Sequence, residues 1–305
     1  MKLTCIEFEG QRVSRLYRDG LKPGCSTGWP SVDRLYTVAA GQLTVITGIP
    51  NHGKSAWLDA LTVNLLNHDP DGKPWKFLMV SPEQEPLEFH IAELIERRIG
   101  KSFRSGSRNR MTESEVAAAV KEMGRRYEFA SFEDGESFFD AVGEAYRFAE
   151  RCEVNGYRGG VILDPWNRLE HERPPHLTET EYISEALSRV SQMARETGLH
   201  VWIVAHPAKL QPDPQTKRRP VPTGYDIAGS ANWANKADNI ITVWRDVLAA
   251  QGTPEARRTL IAVGKVRWKH VGRLGNAWLE YEPSSGRYVD SDAGPDSYRS
   301  ASDGE

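Results

Sequence analysis

The sequence predicts an α/β fold, a mostly parallel twisted sheet flanked by helices with a C-terminal β-hairpin, and three observations predict it. From residue 42 onward, short apolar runs alternate with stretches of helical periodicity, as strands and crossover helices of a parallel sheet do. A glycine-rich run, Gly48 to Ser55, lies between one apolar strand and the amphipathic helix that follows it. A second apolar strand, 159–164, ends in Asp164.

In chain order, residues 1–27 read as a lead-in or linker, with a short polar helix over 11–18 and Pro/Gly/Ser-rich turns over 21–30. Residues 28–290 carry the main domain. Strands are expected at 42–47, 76–81, 160–163, 200–205, 239–244 and 260–265, and helices at 55–67, 86–99, 113–127, 137–155 and 180–197. The Arg-, Ser- and Gly-rich segment 100–111 reads as a mobile surface loop. Strands at 277–282 and 287–289, joined by Pro283-Ser-Ser-Gly286, form the terminal hairpin. The small, polar, acidic tail 291–305 is expected to be disordered.

At 305 residues the chain can bury one substantial core. No apolar run approaches the ~18–20 residues that a bilayer span needs, so no membrane partner is expected. The first ten residues alternate charges where an export signal needs an apolar stretch. Three cysteines, Cys5, Cys25 and Cys152, stand far apart without a C-x-x-C pair, which argues against a disulfide framework or zinc ribbon and for an intracellular setting. With a net charge of −3, any nucleic-acid surface must be a local patch.

Gly48, Ile49, Pro50, Asn51, His52, Gly53, Lys54 and Ser55 satisfy the G-x-x-x-x-G-K-[ST] pattern, in which backbone amides and a helix N-terminus cradle phosphates. Lys54 is expected to reach the terminal phosphates of a nucleotide, and Ser55 to ligate Mg²⁺. Asp164 is the matching carboxylate for the hydrated Mg²⁺. The strand 76–81 runs into Pro82 and Glu83, and Glu83 is the candidate to activate the attacking water; Glu85 and Glu88 are nearby alternatives. His206 follows the strand 200–205, where a polar side chain can touch the γ-phosphate.

Taken together, Ser26-Thr-Gly-Trp-Pro-Ser-Val-Asp-Arg34, Gly41-Gln-Leu-Thr-Val-Ile-Thr-Gly-Ile-Pro50, Asp164-Pro-Trp-Asn167, Glu179-Thr-Glu-Tyr-Ile-Ser184, His200-Val-Trp-Ile-Val-Ala-His-Pro207 and the run from Tyr225 to Asp238 resemble the helicase domain of the Twinkle family and, more distantly, of DnaB. The resemblance spans residues 27–288. It implies a RecA-like P-loop NTPase core, ATP and Mg²⁺ bound between adjacent subunits of a hexameric ring, and unwinding of duplex DNA by 5′-to-3′ movement on one strand. By position it implies Glu83 as the catalytic base and His206 as the γ-phosphate contact. It also implies a K-x-R pair, Lys265 and Arg267, supplied by the neighbouring subunit, with Arg267 the finger and Lys265 its companion. The families carry a primase-like or helical N-terminal region for which this chain has no room, so ring stability, loading and contact with a primase or loader lie beyond the match. A bacterial, phage or organellar setting follows.

Two loops are candidates for single-stranded or forked DNA. The first, 167–177, contains Arg168 and Arg173, offset by Glu170 and Glu172; the second, 206–223, contains Lys209, Lys217, Arg218 and Arg219 against Asp213. The second is expected to project and track phosphates in a ring channel. Trp233 offers either a stacking face or a core residue. Rival readings are a RecA- or KaiC-like ATPase that does not unwind, a P-loop kinase, and a nucleotide-gated scaffold of a mobile element.

Overall fold

The structure, a computed structural model, describes residues 5–68, 71–131 and 137–291. The elements in order are α1 (Ile6–Asp19), α2 (Pro30–Asp33), β1 (Leu43–Thr47), α3 (Lys54–Leu65), β2 (Trp75–Val80), α4 (Leu87–Ile99), α5 (Glu113–Met123), β3 (Tyr127–Phe129), α6 (Phe138–Val154), β4 (Arg158–Leu163), α7 (Glu179–Thr197), β5 (His200–Ala205), α8 (Asn232–Lys236), β6 (Asn239–Arg245), α9 (Pro254–Arg257), β7 (Arg258–Val266), β8 (Gly275–Glu282) and β9 (Arg287–Asp290).

They form a nine-stranded sheet in the order β3-β2-β4-β5-β1-β6-β7-β8-β9. The first six of these are parallel, and β6 to β9 are joined antiparallel. The expected α/β class, mostly parallel sheet and terminal hairpin are present. The strand expected at 260–265 runs against its neighbour, because the β6–β7 connection holds only the single turn α9, too little helix to cross the sheet face.

Alternation along each strand sends side chains to two cores. Phe77 and Met79 of β2 face one side with α3, α4, α5 and the segment around Trp29 and Tyr36. Leu78 and Val80 face the other, with α6 and α7. All of β1 is buried, because helices cover both faces of the sheet beside it. The first core is dense in aromatics: Phe77 stacks on Trp75 at 5.6 Å and lies 5.4 Å from Tyr127 and 6.4 Å from Trp202.

Several local expectations are corrected. The helix expected over 113–127 ends at Met123, and Tyr127 opens the edge strand β3, whose three residues are too few for a periodic signal. Packing begins at Cys25, which bridges Val38 and is buried. His200 ties this segment down: its Nδ1–H donates to Ala39 O at 2.6 Å, leaving Nε2 to accept from Thr44 and Tyr36 at 2.9 and 3.1 Å. Burial pushes His200 down to about 4, which keeps the ring neutral. The segment 100–111 is a closed loop, with Met111 N donating to Ser102 O at 3.0 Å and Glu96 accepting from Phe103 N. On α1, Ile6, Val13, Leu16 and Tyr17 are exposed. Of the tail, only Ser291 lies within the described residues.

Phe77→Ala removes a ring that is fully buried. The change is expected to cost about 3–5 kcal/mol, read as a lower urea midpoint with an unchanged slope.

Candidate active site

The phosphate loop leaves β1 at the centre of the sheet and enters α3, at the carboxyl edge where open α/β sheets hold ligands. Two glycines shape it. Gly48 has φ +149°, and a Cβ there would stand 2.2 Å from the carbonyl oxygen of Val243 on β6. Gly53 has φ +90° and caps α3, whose first turn carries no acidic side chain to compete for its free amides. Asn51 is also left-handed, at φ 66°.

Lys54 is buried, and its Nζ donates to Ile49 O at 3.2 Å. Burial lowers its pKa to about 8 against the opposing pull of Asp164 and Glu83. An anion in the loop would restore its full charge. His52 is a scaffold: Nδ1 accepts from Arg245 N at 3.3 Å, the ring lies 6.0 Å from Trp244, and burial pushes it down to about 4. Ile49 and Pro50 precede it in the loop.

Asp164 is buried at the end of β4, and its pKa rises to about 6, mainly by burial; a hydrogen bond from Ser55 and the charge of Lys54 oppose the rise, while Asp59 and Glu83 add to it. One hydroxyl and one carboxylate are hard oxygen donors of the kind Mg²⁺ takes. Among the described residues no group of three or more side chains could hold a metal alone, so phosphate and water oxygens would complete the shell. Sequence reasoning missed Asp59, one turn after Ser55 on α3. It is buried and paired with His90 Nε2 at 3.1 Å. Its i, i+4 spacing from Ser55 is the signal that could have found it.

Glu83 bears on Lys54, Asp164 and His206; Glu85 and Glu88 are exposed and are not among the groups acting on these three. His206 is half-buried at the end of β5, and burial, then Lys54, lowers its pKa. Its Nδ1 has no hydrogen-bond partner, while its carbonyl accepts from Ala228 N at 3.1 Å. Lys54, Ser55, Glu83, Asp164 and His206 are therefore one cluster.

Lys265 and Arg267 are elsewhere. Because β7 runs against β6, its end lies beside Asn239, at the opposite edge of the sheet from the loop. Arg267 Nη1 donates to Asp238 Oδ1 at 2.5 Å, and Asp238 Oδ2 accepts from Leu43 N at 2.9 Å, at the start of β1. The five-residue β1 separates this point from Gly48 by roughly 17 Å at ~3.3 Å per residue. Lys265 Nζ donates to the carbonyls of Ala234 and Asn235 at 2.6 and 3.2 Å, at the end of α8. Trp268, next to Arg267, is 54 % exposed and was not anticipated.

The basic residues expected on DNA loops divide. Lys217, Arg218 and Arg219 are exposed, as expected of a projecting loop. Their inner side lines a cavity of ≈ 370 Å³ together with Ile49–His52, Trp244 and Leu248, and Arg218 pairs with Asp246 at 2.6 Å. That acid lies outside the loop and is invisible to local charge counting. Arg168 pairs with Glu83 at 2.7 Å and so belongs to the nucleotide cluster. Lys209 and Arg173 are exposed, Arg173 donating to Leu177 O at 3.0 Å. Trp233 is core, edge-on to Trp166 at 5.1 Å.

A phosphate loop at the carboxyl edge of this sheet, with a strand-end carboxylate beside it, defines a RecA-like P-loop nucleoside triphosphatase domain. Sequence comparison gives the family: the DnaB-like helicase C terminal domain matches residues 24–290, and the chain belongs to that family. A relative, the Twinkle homolog protein, chloroplastic/mitochondrial, of Arabidopsis thaliana, is 37% identical over 279 residues. That match covers 90% of this chain and 38% of the relative, so the chain spans well under half of that protein. Among solved structures, an isolated ATPase domain superposes with a TM-score of 0.74 at 19% identity, covering 95% of this chain and 100% of that one. A DnaB-like replicative helicase, described with its interactions with primase, gives 0.71 at 20%, covering 92% and 68%. These two share the fold.

Because burial raises the Asp164 carboxyl to about 6, acid should neutralise the carboxylate that would hold the cation. Mg²⁺-dependent nucleotide binding is expected to weaken about tenfold per pH unit below that point and to level off above it. Fluorescent-nucleotide titrations with Mg²⁺ at about pH 5 and about pH 7.5 measure this, and Asp164→Asn should flatten the profile.

Proposed function

We propose that this chain is the motor domain of a replicative DNA helicase, hydrolysing ATP at seams between like subunits of a ring, six in number, and moving 5′-to-3′ along single-stranded DNA. The observation that carries the reading is the position of Arg267, at the sheet edge opposite its own phosphate loop and with its side chain 52 % exposed. It is too far to serve the nucleotide of its own chain and open to serve another's.

In this mechanism Lys54 and the loop amides bind the phosphates, and Ser55 and Asp164 hold Mg²⁺. When bound there, Mg²⁺ would supply positive charge to offset that of the phosphates. Glu83 orients the attacking water, and His206 links the terminal phosphate to the loop 206–223. Arg267 of one subunit, with Lys265 fixing the strand end beside it, stabilises transition-state charge in the next site, so that chemistry proceeds only where a seam has closed. Exposed Lys209 and Arg173 contact the strand's phosphates, which carry no base information and so suit movement over any sequence. A primase or a loader is the expected protein partner, in whichever compartment the DNA is copied, be it a bacterium, a phage-infected cell or an organelle.

Lys54→Ala and Arg267→Ala are each expected to lower ATP turnover by about 10³-fold or more, the second with nucleotide binding intact. Mixing the two should restore turnover, because some seams then combine an intact loop with an intact finger. Wild-type turnover by Arg267→Ala alone would remove the shared site. Glu83→Gln should reduce turnover by at least about 10²-fold while sparing binding. Displacement of a strand from a forked substrate separates this reading from an ATPase that does not unwind.

A further inference from the structure

The ion pair between Arg168 and Glu83 has no place in the mechanism above. Arg168 ends a single 3-10 turn, Trp166–Arg168, directly after Asp164 and Pro165. Its backbone is held between two buried residues, Trp166 and Leu169, while its side chain is 63 % exposed. Past Leu169 the chain runs outward through His171, whose Nε2 is hydrogen-bonded to Trp166 O at 2.8 Å, to exposed Arg173. Arg168 thus stands where the nucleotide cluster meets a surface loop, and it acts electrostatically on His206 as well.

The pair has two chemical consequences. Nε of Arg168 donates to Oε1 of Glu83 at 2.7 Å, which takes one acceptor position of the carboxylate and holds the side chain in one orientation. Because both partners are exposed, the pair adds little stability and exchanges readily for another anion. Phosphate is the natural competitor, since the planar guanidinium matches its oxygens in a bidentate manner.

We propose that Arg168 is a positioning residue that restrains Glu83 until a backbone phosphate of bound single-stranded nucleic acid takes its guanidinium, so that strand engagement releases the base for hydrolysis. The inference rests on the function proposed above and adds a route by which the strand reaches the chemistry. No bond is made or broken in the exchange; an ionic partner is swapped.

The test compares the full wild-type chain with Arg168→Ala and Arg168→Lys, measuring ATP turnover with and without an unstructured single-stranded oligonucleotide, KM for ATP, and oligonucleotide affinity by anisotropy. Arg168→Ala is expected to raise strand-free kcat several-fold and to bring the stimulation ratio towards one, with KM within about twofold of wild type. Arg168→Lys, which retains the cation, should keep most of the ratio. A merely structural role would not raise the strand-free rate. Stimulation of Arg168→Ala equal to that of wild type overturns the inference alone, as does a fall in strand-free kcat. A raised KM with the ratio retained would put the guanidinium on the nucleotide and also overturn it. Wild-type protein with no strand stimulation removes the parent reading, and the inference falls with it.

Discussion

The carbonyl oxygen of Val243 occupies the space that a side chain on residue 48 would need, and this close approach of β6 to the loop leaving β1 organises the rest of the molecule. It fixes where the loop turns and therefore where its amides converge. Each partner of the cradle then arrives on a different strand end: Asp164 from β4, His206 from β5, and Glu83 just past β2. The sheet is the ruler that brings residues far apart in sequence to one edge. The aromatic core around Phe77 and Trp202 keeps those strands in register beneath the site.

Electrostatically the cluster is poised for an anion and a cation together. Lys54 is buried and depressed, Asp164 is buried and raised, and each would regain its ordinary charge state once its counterion arrived. Asp59 and His90 lie one layer deeper and join α3 to α4, so the helix that begins at the phosphates is anchored to the helix that follows Glu83. The two helices thus share a buried support.

Much of this was legible in the sequence, for identifiable reasons. The phosphate loop, Asp164 and Glu83 are local patterns at strand ends, and strand ends are what apolar runs reveal best. What was not legible depends on distant pairing. The pairing of Arg218 with Asp246 beside the phosphate loop, and the capture of Arg168 by Glu83, each join residues from separate strand ends. Tyr127 was read as helix because three strand residues carry too little period to outweigh the helix before them. The antiparallel sense of β7 could not be seen because direction depends on the connection, and α9 is only one turn long.

One linkage carries a mechanical implication. Asp238 holds Arg267 with one oxygen and the first amide of β1 with the other, and the far end of that same strand becomes the phosphate loop. A strand is stiff along its length. If one end answers to a neighbour's ATP and the other cradles its own, each subunit is a rod between two reactions, and events around an assembly would be wired in series, like links drawn taut one after another.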